Sequence, residues 1–118
     1  MRIVACILAS SVLLAACGPN CQSTCKHVFD PSECGIHPPG VETAEQIRDC
    51  ARACEDALNS AGNIGSYDPD TPDYSGEVTL ENEKQAAAWM DCVWETTPDA
   101  TADQCENLEI GYCAPINF

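Results

Sequence analysis

Two pairs of cysteines with the same spacing constrain this chain more than any other feature. Cys21 and Cys25 are four residues apart, as are Cys50 and Cys54, so on helices each pair stacks one turn apart on a single face. Laid antiparallel, two such helices put Cys21 opposite Cys54 and Cys25 opposite Cys50, with the rungs about 6 Å apart along the axis. The other matching, Cys21–Cys50 with Cys25–Cys54, needs parallel helices and a longer return loop, so the antiparallel ladder is expected. A bridge wants α-carbons roughly 4.4–6.8 Å apart, closer than packed helix axes usually come, and small residues should therefore flank the rungs. Ser23, Thr24, Ala51 and Ala53 meet that need. The full chain has 118 residues, ten of them cysteine and seven aromatic (Trp 2, Tyr 3, Phe 2). That length bounds it to one domain, and a core so poor in aromatics leaves cross-links a large share of the stability.

The helices can be placed from their caps and periods. Asn20 is a suitable N-cap for a first helix that buries Cys21, Cys25, Val28 and Phe29 and stops at Asp30-Pro31. For the second, Thr43 and Gln46 are spaced as a capping box. Ile47, Cys50, Ala51, Cys54 and Leu58 form its apolar stripe, and Gly62 is the expected stop. Residues 62–78, rich in Gly, Pro and Asp and without apolar period, read as an exposed acidic loop. A third helix is expected from a Thr79 cap to about Glu95, burying Leu80, Ala86, Trp89, Met90 and Val93, with the two tryptophans as core and rim. Thr101 and Gln104 suggest another box for one short turn through Cys105 and Leu108, followed by an irregular tail from Gly111 to Phe118. The expected fold class is therefore all-α, small and disulfide-rich: a stapled antiparallel hairpin packed with a third helix and a tail.

The first seventeen residues carry the sharpest signal in the chain. Met1-Arg2 is a minimal positive start and Ile3 to Leu14 a mostly apolar run, long enough for the core of a signal peptide and too short to span a bilayer. The run ends in Leu14-Ala15-Ala16-Cys17, which resembles the lipobox of bacterial lipoproteins. That resemblance implies lipidation of Cys17, cleavage between Ala16 and Cys17, and an acylated amine at the new terminus. Two or three acyl chains, at about 0.8 kcal/mol per buried methylene, make a durable anchor in the lipid bilayer. Gly18 in place of Asp favours, by the same resemblance, the outer membrane of a two-membrane cell. The expected organisation is a signal peptide at 1–16, a lipidated tether at 17–20 and a domain at 21–118.

Parity supports this division. With Cys6 removed and Cys17 lipidated, Cys21, Cys25, Cys34, Cys50, Cys54, Cys92, Cys105 and Cys113 remain, an even set fit to pair fully in an oxidising compartment. The paired Cys-x3-Cys motifs are similar in geometry to small disulfide-stapled helical peptides. For the other four cysteines, Cys92–Cys105 would close the third helix on the short turn and Cys34–Cys113 would tie the tail to the hairpin loop, with the two remaining pairings left open.

Charge and motif content exclude more functions than they suggest. Nineteen Asp and Glu against five Lys and Arg give a net charge of −14, a surface that repels nucleic acid and anionic headgroups and excludes a basic membrane patch. No nucleophile elbow, phosphate-binding glycine loop or zinc-protease helix motif occurs, so no catalytic residue and no cofactor is expected. His27 and His37 are the only histidines, and each reads more readily as a surface or capping residue than as a base. Cys21-x-x-x-Cys25-Lys26-His27 misses covalent haem spacing. Cysteines on facing helices also resemble copper(I)-storing bundles, and Asp68, Asp70, Asp73 and Glu77 invite a calcium reading, although Pro72 and Asp73 stand where an EF-hand needs a ligand and a glycine.

The whole chain is similar in style to small acidic cysteine-rich lipoproteins of delta-proteobacteria. The expectation is thus a non-enzymatic, membrane-anchored envelope module that binds an unidentified protein or glycan or serves a structural role. The alternative is a metal-handling lipoprotein using thiolates or the acidic loop.

Overall fold

The structure, a computed structural model, describes residues 20–36, 40–73, 75–96, 101–116 and 118. The expected leader, Cys17, most of the tether and His37 lie outside the described residues. Among those described, four helices and no strand occur: α1 (Cys21–Phe29), α2 (Thr43–Leu58), α3 (Glu83–Glu95) and α4 (Gln104–Glu109). The all-α, disulfide-linked architecture is the expected one, with the short turn built as a fourth helix.

α1 forms because both ends are specified locally. The Asn20 side chain accepts from the Ser23 amide at 2.8 Å, and the Ser23 hydroxyl faces the Asn20 amide, a reciprocal box at the N-terminus. At the other end Asp30 leaves helical geometry ahead of Pro31. Ser32 then donates to the Asp30 carboxylate through its amide at 2.8 Å and its hydroxyl at 2.7 Å, bonds that hold that carboxyl below its ordinary range.

α1 and α2 run antiparallel and are joined by Cys21–Cys54 and Cys25–Cys50, with Cα separations of 5.7 and 5.9 Å. Thr24 and Ala51 are buried beside these rungs, as the close approach requires.

α3 packs on both hairpin helices, and its Trp89 and Val93 join Val28, Phe29 and Leu108 in the fully buried core. Phe118 returns to this core from the end of the chain. Its ring meets Trp89 edge-on at 5.4 Å and Phe29 at 6.3 Å, and the Trp89 indole donates to the Pro115 carbonyl at 3.1 Å.

Several helix ends differ from the expectation. α2 starts after Glu42, which makes no side-chain cap, while Thr43 is already helical and Gln46 is buried. It stops at Asn59, whose amide closes back on the last turn, before Gly62 is reached. Gly62 serves instead at a close approach, because a Cβ there would lie 2.7 Å from the Asn82 side chain. Leu58, expected in the stripe, is 39% exposed.

For α3 the cap is Asn82 rather than Thr79. Its carbonyl oxygen accepts from the Lys84 and Gln85 amides, and Gln85 returns its own oxygen to the Glu81 amide. α4 is capped by Asp103, which accepts from the Glu106 amide at 2.8 Å.

Two expected bridges are corrected. Cys34 pairs with Cys105 and Cys92 with Cys113, in place of Cys92–Cys105 and Cys34–Cys113. The first exchange follows from the docking of α4: Gln104 reaches His27, which brings the first turn of α4, and Cys105 with it, to the end of α1 where Cys34 lies. The second follows from the tail, which folds back along α3 through the Trp89 bond to Pro115 and so delivers Cys113 to Cys92.

Cys34–Cys105 has the widest sequence separation, 71 residues. Replacing both cysteines by Ser should lower the unfolding free energy in urea by about 4–5 kcal/mol by the chain-entropy argument, while α1 and α2 stay helical. An unchanged midpoint would show that the α4 contacts alone hold this region.

Candidate functional site

The described part of the chain brings its polar side chains together in two places. The first surrounds His27, on the last turn of α1 and only 14% exposed. Its Nδ1 lies 2.9 Å from the Glu33 carboxylate in the turn after α1, and its Nε2 lies 2.5 Å from Oε1 of Gln104 at the start of α4. The Gln104 amide nitrogen donates to the Trp94 carbonyl at 2.6 Å, which orients the amide with its oxygen toward the ring. The imidazole stacks on Trp94 at 4.3 Å between centroids, and the Trp94 indole donates to the Thr24 hydroxyl at 2.9 Å. The Cys34 sulfur, bound to Cys105, is 3.9 Å from Nε2.

This arrangement ties α1, α3, α4 and the bridge between Cys34 and Cys105 at one point. A general base needs a ring nitrogen open to substrate. Both nitrogens of His27 face oxygen atoms of the fold, and the neighbouring sulfur is in a disulfide, so the cluster acts as a clasp.

The second place is the acidic loop. Asp68 receives the Asp70 amide at 3.1 Å and the Thr71 hydroxyl at 2.7 Å, and Asp73 receives the Ser75 amide at 3.0 Å. The bonds from Ser75 keep the Asp73 carboxyl below its ordinary range. Oxygens expected to offer themselves to calcium are thus partly used to shape their own turns.

The loop is also pinned to the tail, which its composition did not suggest. The Cys113 amide donates to the Pro69 carbonyl at 2.7 Å, the Asp73 amide to Gly111 at 2.9 Å, and the Tyr67 hydroxyl to Ala114 at 2.5 Å. Beside it, Pro69, Asp70, Ala88, Asp91, Glu95 and Thr96 surround an open hollow of about 530 Å³.

For metal, the arrangement offers little. The eight described cysteines are all in disulfides, so the soft thiolates that copper(I) requires are absent from them. Among the described residues no group of three or more His, Cys, Asp or Glu is placed to hold an ion. The lipidation site Cys17 and His37 lie outside the described residues. What the sequence reading missed is the partnership of His27, Glu33, Trp94 and Gln104; residue spacing carries no signal for a contact 77 positions apart.

Two measurements follow. His27→Ala should cost about 2 kcal/mol in urea and change the near-ultraviolet signal of Trp94, because it removes the stack and leaves the Gln104 oxygen unpaired. An unaltered stability would mean that the clasp contributes nothing.

Burial, with the nearby charges of Asp70 and Asp68, pushes the Tyr67 phenol far above its ordinary 10.0. Its contribution to stability is then complete below that value and is lost as pH rises from it toward the folded-state value, because the unfolded chain releases this proton first. Tyr67→Phe should therefore lose stability less steeply in alkali than the parent, in paired denaturation curves; parallel curves would refute the assignment.

No family model matches this chain, and no curated protein or solved structure matches it either, so its function has to be argued from its own residues.

Proposed function

We propose that the chain is the precursor of a bacterial lipoprotein. Its mature form, beginning at Cys17, is a non-enzymatic envelope module held to the bilayer by acyl chains and folded outside the cytoplasm as a cross-linked helical domain. Two independent features support this reading. One is the segment Leu14-Ala15-Ala16-Cys17 at the end of an apolar run. The other, which carries the argument, is the complete pairing of the eight cysteines that follow Cys17. Four bridges in a chain of this size indicate folding in an oxidising, extracytoplasmic compartment. They also pair the eight cysteines after Cys17 entirely among themselves.

No described helix is long and apolar enough to cross a membrane. On the lipoprotein reading attachment falls to the acyl chains, and in a two-membrane cell Gly18, by the same resemblance, favours the outer membrane. A ligand for such a module is a protein or glycan of the envelope, met by a rigid surface whose acidity keeps it apart from nucleic acid. The copper alternative has no supporting observation while the described cysteines are oxidised, and the calcium alternative rests on a loop that consumes part of its own oxygens.

The decisive experiment is expression of the full chain in a bacterial host, followed by fractionation and mass spectrometry. The parent should sediment with membranes and yield an N-terminal peptide that begins at a diacylglyceryl-modified Cys17. Cys17→Ala should move to the soluble fraction with all four bridges intact. An unmodified Cys17, or equal membrane recovery of the variant, would overturn the proposal.

A further inference from the structure

The antiparallel ladder decides which end of the domain is nearest to Cys17. α1 begins at Cys21, and Cys21 is bridged to Cys54, so the last turn of α2 lies beside the start of α1. Cys17 and Cys21 are only four positions apart, a span of at most about 14 Å when fully extended. Beyond Cys54 the chain carries Glu55 and Asp56 and then has no charged side chain from 57 to 67, the longest such stretch after Cys17. Among the described residues, two of the three exposed large apolar side chains fall there: Leu58, 39% exposed, and Ile64, 41% exposed; the third is Ile110.

This stretch is held in place. The Glu83 amide donates to the Ser60 carbonyl at 2.8 Å, the Asn82 amide group to the Asn63 carbonyl at 2.9 Å, and the Gln85 amide group to the Ile64 carbonyl at 3.3 Å. Leu58, the last residue of α2, and Ile64, on the loop that follows and is fastened to the start of α3, are thus presented at the end of the bundle where the tether enters.

We infer that this end is a membrane-contact surface: the uncharged segment 57–67, the end of α2 and the loop after it, rests on the bilayer that anchors Cys17, with Leu58 and Ile64 inserted at the level of the headgroups. The inference rests on the lipoprotein reading above. Its occupant is fixed by the length of the tether, which is too short to let the domain stand away from the lipid surface, and by composition, since an apolar, uncharged loop loses little when water is replaced by the interfacial layer. Glu55, Asp56, Glu81 and Glu83 flank the loop and hold the contact at that shallow level, because carboxylates resist deeper burial. The far end of α2, at Glu42, is about 24 Å away along the helix and stays in water.

The test uses the acylated mature protein on vesicles of phosphatidylcholine with and without brominated acyl chains. A tryptophan is introduced in turn by Leu58→Trp, Ile64→Trp and, as control, Glu42→Trp, all at exposed positions. Acylation of Cys17 and the four bridges are verified by mass in each variant. The inference expects brominated lipid to abolish most of the added emission at positions 58 and 64 and none of it at 42. Equal quenching at all three positions, or none at any, with Cys17 acylated, overturns the contact surface while leaving the anchor standing. A blue shift at 58 and 64 without bromine quenching assigns the patch to association between copies and also overturns it. A bare Cys17 removes the lipoprotein reading and this inference together.

Discussion

The pair of rungs between α1 and α2 is the constraint from which the remaining architecture follows. Disulfide geometry draws the two backbones to Cα separations below 6 Å, nearer than apolar side chains alone would bring them, and only residues such as Thr24 and Ala51 fit between. Once the hairpin is fixed, Val28 and Phe29 present one apolar ledge, and α3 lays Trp89 and Val93 against it. A core of this size gives little margin over chain entropy. The tail therefore matters: Phe118 fills the space between Phe29 and Trp89, and Cys113 fixes the tail to α3.

What could be read from the sequence was what the sequence states locally. Cysteines four apart dictate a helical face, Asn20 and Pro31 bracket α1, and the antiparallel solution is the economical way to join two such faces. The Thr43–Gln46 spacing proposed a cap for α2 that does not form, since Glu42 precedes a helix that already includes Thr43. At α3, Asn82 displaced Thr79 because its amide bonds two helix amides and also reaches back to Asn63. The second pair of bridges was not legible, because Cys34–Cys105 depends on where α4 docks, through the contact of Gln104 with His27 across the fold, and Cys92–Cys113 on the return of the tail along α3.

The same division holds for the candidate site. His27 reads from the sequence as a surface or capping residue, whereas its ring is mostly buried, and its spacing from Glu33, Trp94 and Gln104 gives no hint that all four meet. The density of acids between 62 and 78 was visible, whereas the turns that draw Asp68 and Asp73 inward, and the hydrogen bonds of Pro69, Asp73 and Tyr67 with the tail, depend on the folded chain. Acidity in this protein is consequently not uniform in effect. Part of it shapes the loop, and part of it borders an uncharged end that carries Leu58 and Ile64.

The order of the bridges along the chain has a consequence for survival among proteases. Cys21–Cys54 and Cys25–Cys50 nest, Cys34–Cys105 interlocks with both, and Cys92–Cys113 interlocks with Cys34–Cys105. Every peptide bond from Cys21 to Cys113 is therefore spanned by at least one sulfur link. A single cleavage within that interval, including one in the long segment between Cys54 and Cys92 that Cys34–Cys105 alone encloses, releases no fragment. Both halves stay covalently joined to Cys21 and to whatever holds the chain ahead of it.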